Sequence, residues 1–120
     1  IDGHELRQEF PENQLVEIEG CKIFMTHIAG AAEYYNTRVQ RILKQEKPHI
    51  LICGHSHIVK VMHDKKYRIL HINSGAAGIH GFHKVRTIIR FEIENGRAQK
   101  MELIELGPRG EIHNTSTKNA

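Results

Sequence analysis

Residues 50–62 read Ile50-Leu51-Ile52-Cys53-Gly54-His55-Ser56-His57-Ile58-Val59-Lys60-Val61-Met62. Four apolar residues in unbroken succession describe a strand buried on both faces. Where the run stops, two histidines stand two positions apart. In extended chain such residues point to the same side, about 6–7 Å apart at a rise of about 3.3 Å per residue, which lets both imidazoles reach one ion or two adjacent ions. Gly54, without a Cβ, allows a sharp turn and a close backbone approach to an ion or phosphate. Taken alone, the His-x-His pair reads equally well as a polar strand end.

The flanking sequence sets this strand in an α/β unit. Asn36 to Lys47 opens with Asn and Thr at cap positions, places Val39, Ile42 and Leu43 on one face, and turns Arg38, Arg41 and Lys44 outward, which predicts an amphipathic helix. Lys47-Pro48 ends it, and the chain enters the strand from His49 to Cys53. Upstream, Leu15–Ile18 and Cys21–Met25 flank Gly20 as strand, turn and strand. Downstream, strands are expected at 58–63, 68–73, 85–94 and 97–106, with turns at Asp64-Lys65-Lys66 and Asn95-Gly96. The last two form an antiparallel hairpin. From Gly107 the sequence is polar and reads as a frayed tail.

The 120 residues, 39% hydrophobic and 26% charged, suffice for one globular core. A net charge of +3 from 17 basic and 14 acidic residues spread along the chain makes no basic stripe, so a specific nucleic-acid partner is not expected. Cys21 and Cys53 lie far apart in apolar runs and form no Cys-x-x-Cys pair, which predicts buried free thiols and a cytoplasmic setting. No apolar stretch approaches the roughly 18 residues of a membrane span, and no signal segment opens the chain, so no membrane partner is expected. Ile1 stands where an initiator Met would be, so a longer chain is expected.

Ten histidines are a high count, and most are expected to be bystanders. His4, His49, His63, His80, His83 and His113 fall in loops, at strand edges or in the tail. His27 differs, because Phe24-Met25-Thr26-His27 is a second apolar strand ending in His, followed by a Gly-Ala-rich loop over 29–32. A third segment, His71-Ile72-Asn73-Ser74-Gly75-Ala76-Ala77-Gly78, again follows a strand with small residues. In open α/β sheets such carboxyl ends border the ligand crevice.

Thr26-His27, Leu51 to His57 and Ile72-Asn73-Ser74-Gly75, in this order around one helix, resemble the C-terminal motifs of the calcineurin-like metallophosphoesterases. Within that family they are most similar to the small bacterial and archaeal phosphodiesterase branch. Ile1-Asp2 resembles the end of its Gly-Asn-x-Asp motif, and the resemblance runs to about Leu106. It implies a four-layer α/β/β/α sandwich, with residues 1–106 supplying mainly its C-terminal half and 107–120 a polar tail. It also implies a metal-dependent phosphoesterase, most of all a phosphodiesterase. Two divalent ions about 3.5–4 Å apart would clamp the phosphoryl oxygens and activate a water. His27 and His55 would serve one ion and His57 the other, while the family's Asp-x-His, Gly-Asp and Asn ligands would have to come from a segment before Ile1. The resemblance implies two divalent ions, manganese first with zinc, iron or nickel as alternatives, which imidazoles together with the family's bridging carboxylates would hold.

The sequence departs from the family at Ile28, where a Gly follows the His, and at Ser74, where the family has Pro. Position 1 is Ile where many relatives outside the branch carry a His, so no histidine general acid is expected there. No catalytic residue beyond the metal ligands is assigned, and Ser56 is not expected to be a nucleophile. The expected partner is a phosphate-ester small molecule, its identity unknown, and a homo-oligomer is left open. Two other readings stand beside the enzyme. One is a non-catalytic interaction scaffold, as in the family's relatives in vesicle-coat complexes, and the other a single-zinc protein built from these histidines alone. Neither Asp2 nor Asp64 makes a convincing bridging ligand, and Asp64, in a Lys-rich turn, reads as solvated. The 120 residues by themselves are therefore expected to hold at most one transition-metal ion.

Overall fold

The structure, a computed structural model, describes residues 13–109. Ile1-Asp2, His4, His113 and the chain after Arg109 lie outside the described residues. Strand β1 (Asn13–Ile18) turns through Glu19-Gly20 into β2 (Cys21–Thr26), and the two pair antiparallel. A short hairpin of β3 (Gly30–Ala31) and β4 (Tyr34–Tyr35), which hydrophobic periodicity does not reveal, leads into helix α1 (Thr37–Glu46). Then come β5 (Ile50–Cys53), β6 (Val59–Asp64), β7 (Ile69–Ser74), β8 (Val85–Glu94) and β9 (Arg97–Pro108).

Both ends of α1 are capped as the sequence implies. The Asn36 side chain accepts the Val39 N–H at 2.9 Å, and Lys47 takes a left-handed conformation whose N–H donates to the Leu43 carbonyl. Pro48 follows and ends the helix.

The central sheet has the order β1-β2-β5-β7-β6. Strands β2, β5 and β7 run parallel, and β1 and β6 close the edges antiparallel. Alternation along these strands separates two cores. Phe24, Leu51, Cys53 and Ile69 pack with Val39 and Leu43 of α1, whereas Cys21, Ile23, Ile50 and Ile72 pack with Ile89, Phe91, Ile93 and Met101 of the β8–β9 hairpin. The described residues thus form three layers: helix, mixed sheet and hairpin. Phe24, 2% exposed, anchors the helical side, and its truncation to Ala would cost about 3–5 kcal/mol.

Two sequence expectations need correction. Strand β9 continues through Pro108, beyond the expected end at Leu106, because Arg86 donates to the Leu106 carbonyl at 2.8 Å and the Arg109 N–H to the Lys84 carbonyl at 3.0 Å. Asp64 is not solvated but 1% exposed. Its carboxylate accepts the N–H groups of Glu33, Lys66 and Tyr67 at 2.9, 2.9 and 3.1 Å, tying the β3–β4 turn to the β6–β7 turn.

Because β2, β5 and β7 are parallel, their carboxyl ends lie at one edge of the sheet. His27, the 54–58 loop and the 75–84 loop all leave from that edge.

Candidate metal centre

The His55-Ser56-His57 segment is not extended chain. Strand β5 ends at Cys53, and His55 and His57 have φ of 73° and 62°. Left-handed backbone costs an L-residue roughly 1–2 kcal/mol, and strain of this kind gathers at functional sites. The turn is therefore made by the histidines themselves. Gly54, expected to supply it, has an ordinary φ, and a Cβ there would meet only His27 at 3.9 Å. The contacts around the loop hold it in this conformation. The Gly54 N–H donates to the His27 carbonyl at 2.9 Å. Asn73, 4% exposed, donates its amide to the Gly54 carbonyl at 3.2 Å and to Ser56 Oγ at 3.0 Å. Ser56 Oγ also accepts the Ile58 N–H at 3.2 Å. The third motif thus serves as a brace, a role for Asn73 that the sequence reading missed.

The imidazoles gather in pairs. His27 and His55 stand edge to face with ring centroids 5.2 Å apart. His57 pairs with His83, a residue expected to be a bystander, with Nδ1 atoms 3.1 Å apart and centroids at 4.9 Å. No spacing rule flags His83, because its loop carries it back across 26 positions. Among the described residues, no three His, Cys, Asp or Glu side chains converge closely enough to hold an ion. His55 borders a cleft of about 650 Å³ shared with Tyr34, Ile58 and Asn73, and His57 a second of about 610 Å³ shared with Gly78 and His80.

Desolvation, reinforced by His83, His55 and His27, holds the His57 pKa below the ordinary histidine range. It is therefore a neutral donor at neutral pH, the form a metal requires. Behind the loop, burial pushes the Cys53 thiol up to about 11, and the free Cys21 and Cys53 are both buried. Burial likewise lowers the pKa of His71, 3% exposed, whose Nδ1 lies 2.9 Å from the Tyr35 hydroxyl and whose Nε2 lies 3.8 Å from Cys53 Sγ. These groups form a buried polar cluster under the site.

The sequence profile of the calcineurin-like phosphoesterase superfamily domain matches residues 1–96. The chain belongs to that superfamily. No curated protein matches it. Among solved structures, a Thermotoga maritima protein is 22% identical over 88% of this chain and 61% of its own, with a TM-score of 0.60. An archaeal protein described as a novel phosphodiesterase is 20% identical over 86% and 64%, at 0.57. Zinc-complexed Vps29 from Entamoeba histolytica is 19% identical over 80% and 61%, at 0.54. At these identities the likeness concerns the fold. The chain spans about three fifths of the length of such relatives.

The residues present fit the histidine side of the superfamily's metal centre. Paired imidazoles at the carboxyl edge suit borderline divalent ions. Glu33 lines the cleft beside His55 without completing a three-ligand group, so further anionic ligands are needed to balance two cations. Among the described residues, no helix is long and apolar enough to cross a membrane.

Proposed function

We propose that this chain supplies the histidine side of a metal-dependent phosphodiesterase, with His27 and His55 holding one divalent ion and His57 a second. The observation that supports this reading most is the left-handed backbone at both His55 and His57, kept by the Asn73 brace although a Gly at either position would relieve it. The ions, manganese first and zinc, iron or nickel as alternatives, would polarise a phosphate ester and activate water at neutral pH. The chain's own residues have simpler tasks. His27, His55 and His57 offer ring nitrogens, Asn73 fixes the loop, and Tyr34 and Ile58 form an apolar wall of the cleft beside His55. Ser56, used as an acceptor by Ile58 and Asn73, is not assigned a nucleophilic role.

A scaffold would have no use for imidazoles gathered in pairs at this edge. The test is metal content and hydrolysis of bis(p-nitrophenyl) phosphate by the complete protein with added Mn²⁺. Bound ions and turnover, both lost in His57→Ala, support the enzyme. Absence of both in the wild type would leave the scaffold reading.

A further inference from the structure

His57 and His83 are joined in a way that fixes where their protons lie. His83 Nε2 is 2.9 Å from the Gly78 carbonyl oxygen. A carbonyl only accepts, so the proton of a neutral His83 is on Nε2 and its Nδ1 carries the lone pair. That Nδ1 is 3.1 Å from His57 Nδ1, so the contact requires a proton on His57 Nδ1. A neutral His57 with Nδ1 protonated has its lone pair on Nε2.

The arrangement is built into the loop's backbone. Arg109 Nε donates to the His83 carbonyl at 2.7 Å, its guanidinium reaches the Ile79 carbonyl at 3.3 Å, and its N–H holds the Lys84 carbonyl at 3.0 Å. Gly81 has φ of 123°, and a Cβ there would overlap His57 Nδ1. Only a residue without a side chain brings the loop this close.

We infer that His83 is a positioning residue that, oriented by the Gly78 carbonyl, locks His57 in the Nδ1–H tautomer and directs its Nε2 lone pair toward the ion. The inference rests on the reading of His57 as a metal ligand. Partners that orient a ligating imidazole are worth about 10–100-fold in metal affinity. Without the acceptor at His83, His57 exchanges between tautomers, of which only one offers Nε2.

Two measurements on the complete protein test this: imidazole ¹⁵N NMR of the metal-free form at about pH 8, where unperturbed imidazoles are neutral, and Zn²⁺ affinity by chelator competition. Wild-type His57 should show a protonated Nδ1 and a bare Nε2. His83→Leu should mix the tautomers and weaken Zn²⁺ binding about 10–100-fold. His83→Asn, whose amide oxygen sits near the position of the lost Nδ1, should restore both. A wild-type His57 protonated on Nε2, an unchanged tautomer and affinity in His83→Leu, or an Asn variant no better than Leu would overturn the inference. His57→Ala separates the two levels. If it keeps full Zn²⁺ affinity, the ligand reading fails. If it loses affinity while His83→Leu does not, only the tautomer assignment fails.

Discussion

The two edges of the central sheet both carry histidines, and they use them differently. At the amino edge, His49 is stitched into the ladder: its Nδ1 accepts the Lys22 N–H at 2.9 Å, its N–H donates to the Lys22 carbonyl at 2.8 Å, and its carbonyl accepts from Leu70 at 2.9 Å. His63 lies on the regular β6. Neither has positive φ. At the carboxyl edge, His55 and His57 sit on left-handed backbone, His27 and His83 stand against them, and a buried Asn holds the loop. A histidine that completes backbone bonding stabilises the fold, whereas His55 and His57, on left-handed backbone with each ring against another imidazole, are the proposed ligands.

Substitutions at the two edges should therefore fail in different currencies. The largest effect is expected for His55→Gly combined with His57→Gly. Zn²⁺ affinity should fall by more than about 100-fold, while the metal-free chain keeps its stability within about 1 kcal/mol because Gly tolerates positive φ. Chelator competition and urea unfolding read the two quantities, and His49→Ala should leave the affinity unchanged. Equal loss of metal in His49→Ala would erase the distinction between the edges.

Next in size is Asp64→Ala, which strips the acceptor from three backbone N–H groups and should lower stability by about 3 kcal/mol. Urea unfolding measures it, and a change below about 0.5 kcal/mol would return Asp64 to the solvated role its lysine neighbours implied.

A smaller effect is expected from acid. Burial holds His71 below the ordinary histidine range, so an unfolding chain takes up a proton from about pH 6.5 downward that the folded chain still refuses. The unfolded state binds more protons in that window, and stability falls as pH drops through it. Unfolding at pH 7.5 and 5.5 should show the loss, and His71→Gln should flatten it. A pH-independent difference between the two proteins would contradict the assignment.

The smallest change is expected for Ser56→Ala, which removes an acceptor at an exposed loop position and should keep turnover of the complete protein within about tenfold. A loss of 100-fold or more with metal retained would instead indicate a covalent serine.

Regular structure was legible because alternation and helical periodicity report burial directly. Val39 and Leu43 marked the buried face of α1, and Asn95-Gly96, at φ of 53° and 74°, marked the β8–β9 turn. The parallel strand ends that carry His27 and Gly54–His57 were legible for the same reason. The backbone of the His55–His57 loop was not, because an i, i+2 spacing looks the same in extended and left-handed chain. The burial of Asp64 depends on an N–H from Glu33, 31 positions away. The pairing of His83 with His57 depends on the return of the loop after β7, which no local pattern encodes.

The central claim, that the carboxyl-edge imidazoles ligate divalent metal, is tested most directly by crystals of the complete protein grown with Zn²⁺ and measured at the zinc edge. Anomalous peaks are predicted about 2.0–2.1 Å from ring nitrogens of His55 and His57, with His27 sharing the ion of His55. A fully occupied zinc bound at other residues, with no peak at this edge, would contradict the account.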